Sequence, residues 1–170
     1  GGVGSLAIDM LSVRGYEAVA VSGKAESDDY LRSIGAARIL RRQEIDLGKR
    51  PLEAAQWAGA IDNLGGEILN WLTRTVDVHG NVASIGLAAS HELHTTVMPF
   101  ILRGVNLLGI NSVFTPRALR LKVWERLATD LKPRNLDRIT TRVVELPDLP
   151  GVFPDYVAGR VTGRTLVRIP

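Results

Sequence analysis

Gly1-Gly2-Val3-Gly4-Ser5-Leu6-Ala7-Ile8-Asp9-Met10-Leu11 opens the chain, and the reading of this stretch decides the fold. Two glycines, a small hydrophobe and a third glycine run straight into apolar residues at helical spacing: Leu6, Ala7, Met10 and Leu11. That is the composition of a turn that starts a helix. Where such a turn cradles a phosphate, a buried strand feeds it and ends just before the first glycine. Here the glycines come first. The pattern is therefore either accidental or one that the chain enters midway, and the second is the expectation.

Composition removes several classes. The 170 residues suit one compact domain, and 45% hydrophobic residues suffice for a core. No run of about 18 apolar residues is present, so no membrane-spanning helix is expected. No charged and apolar leader stands at the start, so nothing in the sequence points to secretion, and a cytoplasmic location is expected. With 0 Cys, disulfides, cysteine zinc lobes and thiolate nucleophiles are excluded. The net charge of +3 is mild and its basic residues are scattered. Aromatic residues are too few for a base-stacking platform, and Arg41-Arg42 reads as a solvated pair. Nucleic acid is not expected as a partner; a phosphate-bearing small molecule would suit the slight positive surplus.

Apolar runs and breakers divide the chain into alternating elements. Strands are expected at Glu17–Val21, Arg38–Leu40, Trp57–Asp62, Asn81–Ile85, Asn106–Asn111, Thr141–Leu146 and Arg164–Ile169. Helices are expected after the opening glycines, over Ser27–Ile34 (with Ser27 as cap and Gly35 as stop), over Glu67–Val76, and briefly around Asp155. The longest is expected over Pro116–Leu131, with Leu119, Val123, Leu127 and Leu131 in one stripe and Trp124 beside it. Strands alternating with helical crossovers predict an α/β fold: a doubly wound, mostly parallel sheet of Rossmann type, with its first strand missing from this chain. Strands buried on both faces would explain their continuous apolar character.

Ligands of such sheets bind at the carboxyl ends of the strands. Gly1–Gly4, Ser22–Lys24, Asn63–Gly65, Gly86–Ala89 and Asn111–Phe114 are the places this rule selects. At the first, backbone N–H groups at a helix start would face an anion, and glycine would let a pyrophosphate approach the main chain; the bland alternative is an ordinary helix start. At the second, about 20 residues on, an NAD-preferring site would carry Asp or Glu to bind the ribose hydroxyls. Ser22-Gly23-Lys24 offers instead a hydroxyl, an unhindered N–H and an ammonium, a set suited to a phosphate dianion. Lys24 taken alone would be a solvated turn lysine; at this distance from a glycine turn, it reads as an NADP determinant.

The chain resembles the cofactor-binding half of a zinc-free medium-chain dehydrogenase/reductase, and within that family the acrylyl-CoA reductase group of quinone-oxidoreductase-like enzymes. The residues that carry the resemblance are GGVGS at 1–5, AVSGK at 20–24, YLRSIGAAR at 30–38, WAGAID at 57–62, TTVMPFILRGVNLLGINSV at 95–113 and GRTLV at 163–167. It implies NADPH as cofactor and an activated alkene on a CoA thioester as substrate. It implies further that a strand and roughly one more domain precede the glycine turn, so that residues 1–170 are the NADP-binding domain of a longer, two-domain enzyme. Carried over by position, Gly1, Gly2, Val3 and Gly4 would hold the pyrophosphate. Ser22, Gly23 and Lys24 would bind the 2′-phosphate, with Arg38 as a second cation from the next strand. Leu87, Ile101 and Ser112 would line the nicotinamide side, although Leu87 and Ile101 suit core packing equally well. The loop Ala88–His94 departs from the glycine-rich form expected in the group, which leaves the substrate-side shape open.

Other chemistries find no support. His91, Glu92 and His94 lack the spacing of a zinc-binding helix and read as surface loop, so no metal is expected. Tyr16, Tyr30 and Tyr156 are followed four residues on by Ala20, Ile34 and Arg160, so no Tyr-x-x-x-Lys pair exists. Nucleophile-elbow and Walker loops are also missing. By resemblance, the expected reaction is conjugate reduction of an α,β-unsaturated acyl-CoA by NADPH, and no proton donor is identified in these residues. The alternatives are an NADPH-dependent quinone reductase and a non-catalytic NADP-binding module. The expected partners are the acyl-CoA substrate and a second copy of the chain.

Overall fold

The structure, a computed structural model, describes residues 1–169. In chain order, α1 (Gly2–Val13) leads to β1 (Val19–Ser22), α2 (Asp28–Ser33) and β2 (Arg38–Arg41). Then come β3 (Trp57–Asp62), α3 (Gly66–Thr75), β4 (Val76–Ser84), α4 (Met98–Arg103) and β5 (Asn106–Gly109). Last are α5 (Arg117–Ala128), α6 (Leu136–Ile139), β6 (Thr140–Glu145), α7 (Phe153–Val157) and β7 (Arg164–Arg168). The chain divides into two compact units, Gly1–Ile45 with the segment from Leu121 onward, and Asp46–Arg120.

Every described strand pairing is parallel: β1 with β2, β4 with both β3 and β5, and β6 with β7. Parallel neighbours need crossovers, and helices provide them between β1 and β2, β3 and β4, and β4 and β5. This is the doubly wound, Rossmann-type α/β class expected from the alternation. The strands are less buried than expected, however. Along β3, Ala58, Gly59 and Ile61 are exposed and only Asp62 is buried.

In the Asp46–Arg120 unit the core is α3 against its sheet. Ile68, Leu69, Trp71 and Leu72 are buried with Val76, Val82 and Val105, and Trp57 meets Trp71 edge-to-face at 5.7 Å. Consecutive glycines start this helix at φ 70° and 57°, a conformation side-chain-bearing residues resist. A Cβ on Gly65 would also collide with the Ser90 carbonyl.

In the other unit the core is smaller, with Ala18, Ala20, Ile34, Ala36, Ile139 and Val152. The helix after the opening glycines forms as expected, but its inward face is polar. Leu6, Ala7, Met10 and Leu11 are only half-buried, whereas Ser5 and Asp9, one turn apart, are buried. Asp9 accepts hydrogen bonds from the Arg134 and Asn135 backbone N–H at 2.8 and 3.2 Å and from Asn135 Nδ2 at 2.7 Å. A carboxylate so satisfied can be buried without the usual desolvation cost.

Two differences are larger. The helix expected over 116–131 runs over Arg117–Ala128 and buries no residue; Leu119 and Val123 of the expected stripe and Trp124 beside it are exposed, and Leu127 and Leu131 are half-buried. Spacing marks a face that can be buried and does not specify what covers it. Residues 98–103 form α4, for which the sequence offered no separate signal because the helix has only 6 residues.

Candidate functional site

The opening glycines form the start of α1. Gly1 is the N-cap of α1, its carbonyl accepting Ser5 N–H at 3.0 Å and Ser5 Oγ at 2.9 Å. Tyr30 Oη in turn donates to Ser5 Oγ at 2.8 Å, and burial raises the Tyr30 phenol above its ordinary range. This chain of hydrogen bonds fixes the turn from behind. A Cβ on Gly1 would meet nothing within 4 Å, so the front is open. One on Gly2 would press into the Arg164 side chain, 2.6 Å from Cδ and 2.7 Å from Cζ. Arg164 therefore bears on the start of α1, where N–H groups and the helix dipole already favour an anion.

Ser22, Gly23 and Lys24 form the turn at the carboxyl end of β1. Ser22 Oγ accepts the Lys24 backbone N–H at 3.1 Å and donates to the Lys24 carbonyl at 3.4 Å. Lys24 Nζ donates to the Val161 carbonyl at 3.0 Å, and Ser27 Oγ lies 3.3 Å from Thr162 Oγ1. The 161–164 segment thus ties to this turn and also sends Arg164 over Gly2.

The strand register brings other arginines nearer this turn than Arg38. In the parallel register Arg38 pairs with Val19 and Arg41 with Ser22, so Arg38 lies about 10 Å from the turn, at the amino end of the pair. There its guanidinium meets Glu17 at 2.6 Å. Arg41 and Arg42 are the arginines at the carboxyl end. Arg41 pairs with Asp28 and donates to the Lys24 carbonyl. Arg42 Nη2 lies 3.3 Å from where a Gly23 Cβ would stand, and Gln43 Nε2 donates to the Gly23 carbonyl at 3.4 Å. The arginine read as merely solvated is the one beside Gly23. Counting the parallel register from Arg38 would have located it. Arg164, by contrast, reaches Gly2 from the last strand, and no local pattern announces that.

In the Asp46–Arg120 unit, Leu87 follows β4 and Ser112 follows β5, both at carboxyl ends of strands. Ile101 lies on α4 two residues before Arg103, whose guanidinium bonds the Glu53, Arg74 and Val76 carbonyls. Two residues along a helix is about 200° of rotation, so Ile101 faces away from that contact and is 71% exposed. Leu87 is 67% exposed, so neither belongs to the core of the described residues. The loop after β4 packs on the turn before α3: Ala89 and Ser90 N–H donate to the Leu64 carbonyl, and Gly66 N–H donates to Glu92. Asp62 fixes the same turn through the Leu64 and Gly65 N–H groups.

His94 pairs with Glu92 at 3.0 Å, and both are exposed. Among the described residues, no group of three or more His, Cys, Asp or Glu could hold a metal ion. No helix among the described residues is long and apolar enough to cross a membrane.

Comparison with known proteins agrees with this architecture. Acrylyl-CoA reductase AcuI of Ruegeria pomeroyi is 47% identical over 170 residues, covering 99% of this chain and 51% of that protein. The YhdH oxidoreductase of Salmonella enterica, crystallised with NADP, matches with a TM-score of 0.94 at 45% identity, over 100% of this chain and 52% of its own. Bacillus subtilis YhfP, crystallised with NAD bound, matches with a TM-score of 0.95 at 44% identity, over 99% and 52%. The chain spans about half the length of the curated relatives it matches. The profile of a family described as zinc-binding dehydrogenase covers residues 2–129, and the chain belongs to that family.

Proposed function

We propose that these residues are the NADP-binding domain of a two-domain, NADPH-dependent oxidoreductase, and that its reaction is reduction of the C=C bond of an α,β-unsaturated acyl-CoA such as acrylyl-CoA. The observation that carries the cofactor reading is the glycine start of α1 with the Arg164 side chain against Gly2, beside the Ser22-Gly23-Lys24 turn tied to the same 161–164 segment. A pyrophosphate at Gly1–Gly4 would meet backbone N–H donors, the helix dipole and the Arg164 guanidinium. A 2′-phosphate at Ser22-Gly23-Lys24 would meet a hydroxyl, a backbone N–H, the Lys24 ammonium once released from the Val161 carbonyl, and Arg42. Charge-assisted bonds of this kind favour NADP over NAD. The likeness to a relative crystallised with NADP supports the same assignment.

When bound, the reduced nicotinamide supplies a hydride. The chain's part is to hold and orient that cofactor. Its hydrogen-bonded backing, Tyr30 to Ser5 to Gly1, keeps the turn from shifting under the phosphates. Leu87 and Ser112 at strand ends, and Ile101 on α4, are the residues proposed for the nicotinamide side. The acyl-CoA substrate is supported by the 47% identity to an acrylyl-CoA reductase. A second copy of the chain is the proposed protein partner, supported by the exposed apolar stretch Leu108, Ile110, Val113 and Phe114 at and after β5.

The test is made on the intact protein. Lys24→Ala should weaken NADPH roughly 10- to 100-fold, since a charge-assisted bond is worth about 1.5–3 kcal/mol, and should leave NADH nearly unchanged. Equal losses for both cofactors would refute the 2′-phosphate assignment. Turnover of a quinone but not of acrylyl-CoA would move the enzyme to the quinone-reductase class. Bound NADPH that no acceptor oxidises would reduce it to a binding module.

A further inference from the structure

An open cleft of about 380 Å³ runs along α3 in the Asp46–Arg120 unit, and the cofactor reading makes no use of it. Its floor is Asn70, 2% exposed, whose Oδ1 accepts the His94 N–H at 2.8 Å and whose Nδ2 donates to Glu67 Oε1 at 3.2 Å. One amide hydrogen is left over. On one wall the Thr95 and Thr73 hydroxyls lie 3.1 Å apart. Thr96 Oγ1 accepts Met98 N–H at 3.3 Å, which leaves its proton to donate.

The opposite end of the cleft is basic. Arg74 donates to the carbonyls of Asn70, Gly48, Arg50 and Leu47. Carbonyls orient a guanidinium without neutralising it, and one of its five N–H groups remains. Lys49 is exposed, with no hydrogen bond or ion pair among the described residues. Arg50 pairs with Glu53 at 2.7 Å, and Arg103 stands behind them on the Glu53, Arg74 and Val76 carbonyls. Glu53 is one local counter-charge, its carboxyl held below the usual range by the Arg50 side-chain and backbone hydrogen bonds. Glu67 is seven residues from Arg74 along α3, about 10 Å away. Four cations at this end, Lys49, Arg50, Arg74 and Arg103, are opposed by Glu53, which acts on Arg50 and Arg74, and by Asp46, whose Oδ1 accepts the Gly48 N–H at 2.9 Å; positive charge remains in excess beside a spare guanidinium N–H and the exposed Lys49 ammonium. That is the complement of a phosphate monoester dianion.

We propose that the basic end of this cleft binds a phosphate monoester carried on a small molecule; resting on the acyl-CoA reading above, we assign it the 3′-phosphate of the coenzyme A thioester. The volume lies within the range of small-molecule sites. Lys49 contributes the flexible cation, Arg74 the fixed one, and Asn70 and Thr96 the neutral donors.

The experiment titrates the intact protein with CoA, dephospho-CoA, inorganic phosphate and, in parallel, NADPH. CoA should bind roughly tenfold more tightly than dephospho-CoA, the worth of one charge-assisted contact at a partly exposed site. Lys49→Ala should abolish that difference while leaving dephospho-CoA and NADPH affinities unchanged; its side chain is exposed, so the fold is not at stake. Equal affinities for CoA and dephospho-CoA in the wild type overturn the proposal. So does a Lys49→Ala variant that retains the discrimination. Inorganic phosphate binding lost in Lys49→Ala, without any discrimination between the coenzymes, would assign the cleft to the free anion and also overturn it. NADPH that binds normally while the coenzymes are not discriminated sinks the cleft alone. NADPH that fails to bind sinks the cofactor reading, whatever the cleft does.

Discussion

Replacing Arg42 and Arg38 separately by alanine decides which strand end carries the 2′-phosphate. Arg42 stands 3.3 Å from the Cβ position of Gly23, at the carboxyl end of the β1–β2 pair, where the Ser22–Lys24 turn begins. A charge-assisted contact is worth about 1.5–3 kcal/mol when well formed. Arg42 is exposed, which argues for the weak end of that range, and about 1.4 kcal/mol is one decade in affinity. Arg42→Ala should therefore raise the NADPH dissociation constant roughly tenfold. It should leave NADH, which has no 2′-phosphate, unchanged. Arg38 lies three residues back in the register and is held by Glu17 at 2.6 Å, with side chains 56% and 62% exposed. Exposed pairs contribute about 0–1 kcal/mol, so Arg38→Ala should alter neither cofactor affinity nor, appreciably, the melting temperature. The assay is calorimetric titration of both cofactors into the intact wild type and both variants. If Arg38→Ala weakened NADPH more than Arg42→Ala did, the register argument would be wrong, and the expectation drawn from the sequence would stand in its place.

Gly65→Ala should destabilise the protein by at least about 1–3 kcal/mol, because φ 70° and ψ −163° form a backbone state that is almost exclusive to glycine; an unchanged denaturation midpoint would contradict this. Asp9→Ala should cost about 2–4 kcal/mol by stripping the 134–135 backbone N–H groups of their acceptor; chemical denaturation would show whether the loss stays below 1 kcal/mol, which would make those groups water-satisfied instead. Asp155 is held below the usual carboxylate range by hydrogen bonds from Arg160 and then Arg142. Its folded-state value thus lies below its unfolded one of about 3.9, so its contribution is present above about pH 4 and disappears as pH falls through the folded value. The melting temperatures of wild type and Asp155→Asn should therefore differ by a constant amount near neutrality and converge below about pH 4; a gap that widened in acid would reverse the assignment.

Local chemistry sufficed for some features of this protein, and others required the chain to be folded. The helix after Gly1–Gly4, the strand Trp57–Asp62 and the parallel alternation were all legible, because glycine, β-branched residues and helical spacing act on neighbours a few positions away. The same holds for the Ser22-Gly23-Lys24 turn, which needs only the end of one strand. Arg42 was obscured because a doublet of arginines looks the same whether it faces solvent or a turn, and only the pairing of β1 with β2 sets its height against Gly23. Arg164 meets Gly2 across nearly the whole chain, and sequence spacing is silent at that range. Helical periodicity likewise marked a face on α5, yet no residue of α5 is buried, since burial depends on what packs there. The buried partners of α1 are Ser5 and Asp9 in place of its hydrophobes, because Tyr30 and Asn135 arrive with donors that only the tertiary fold brings within reach.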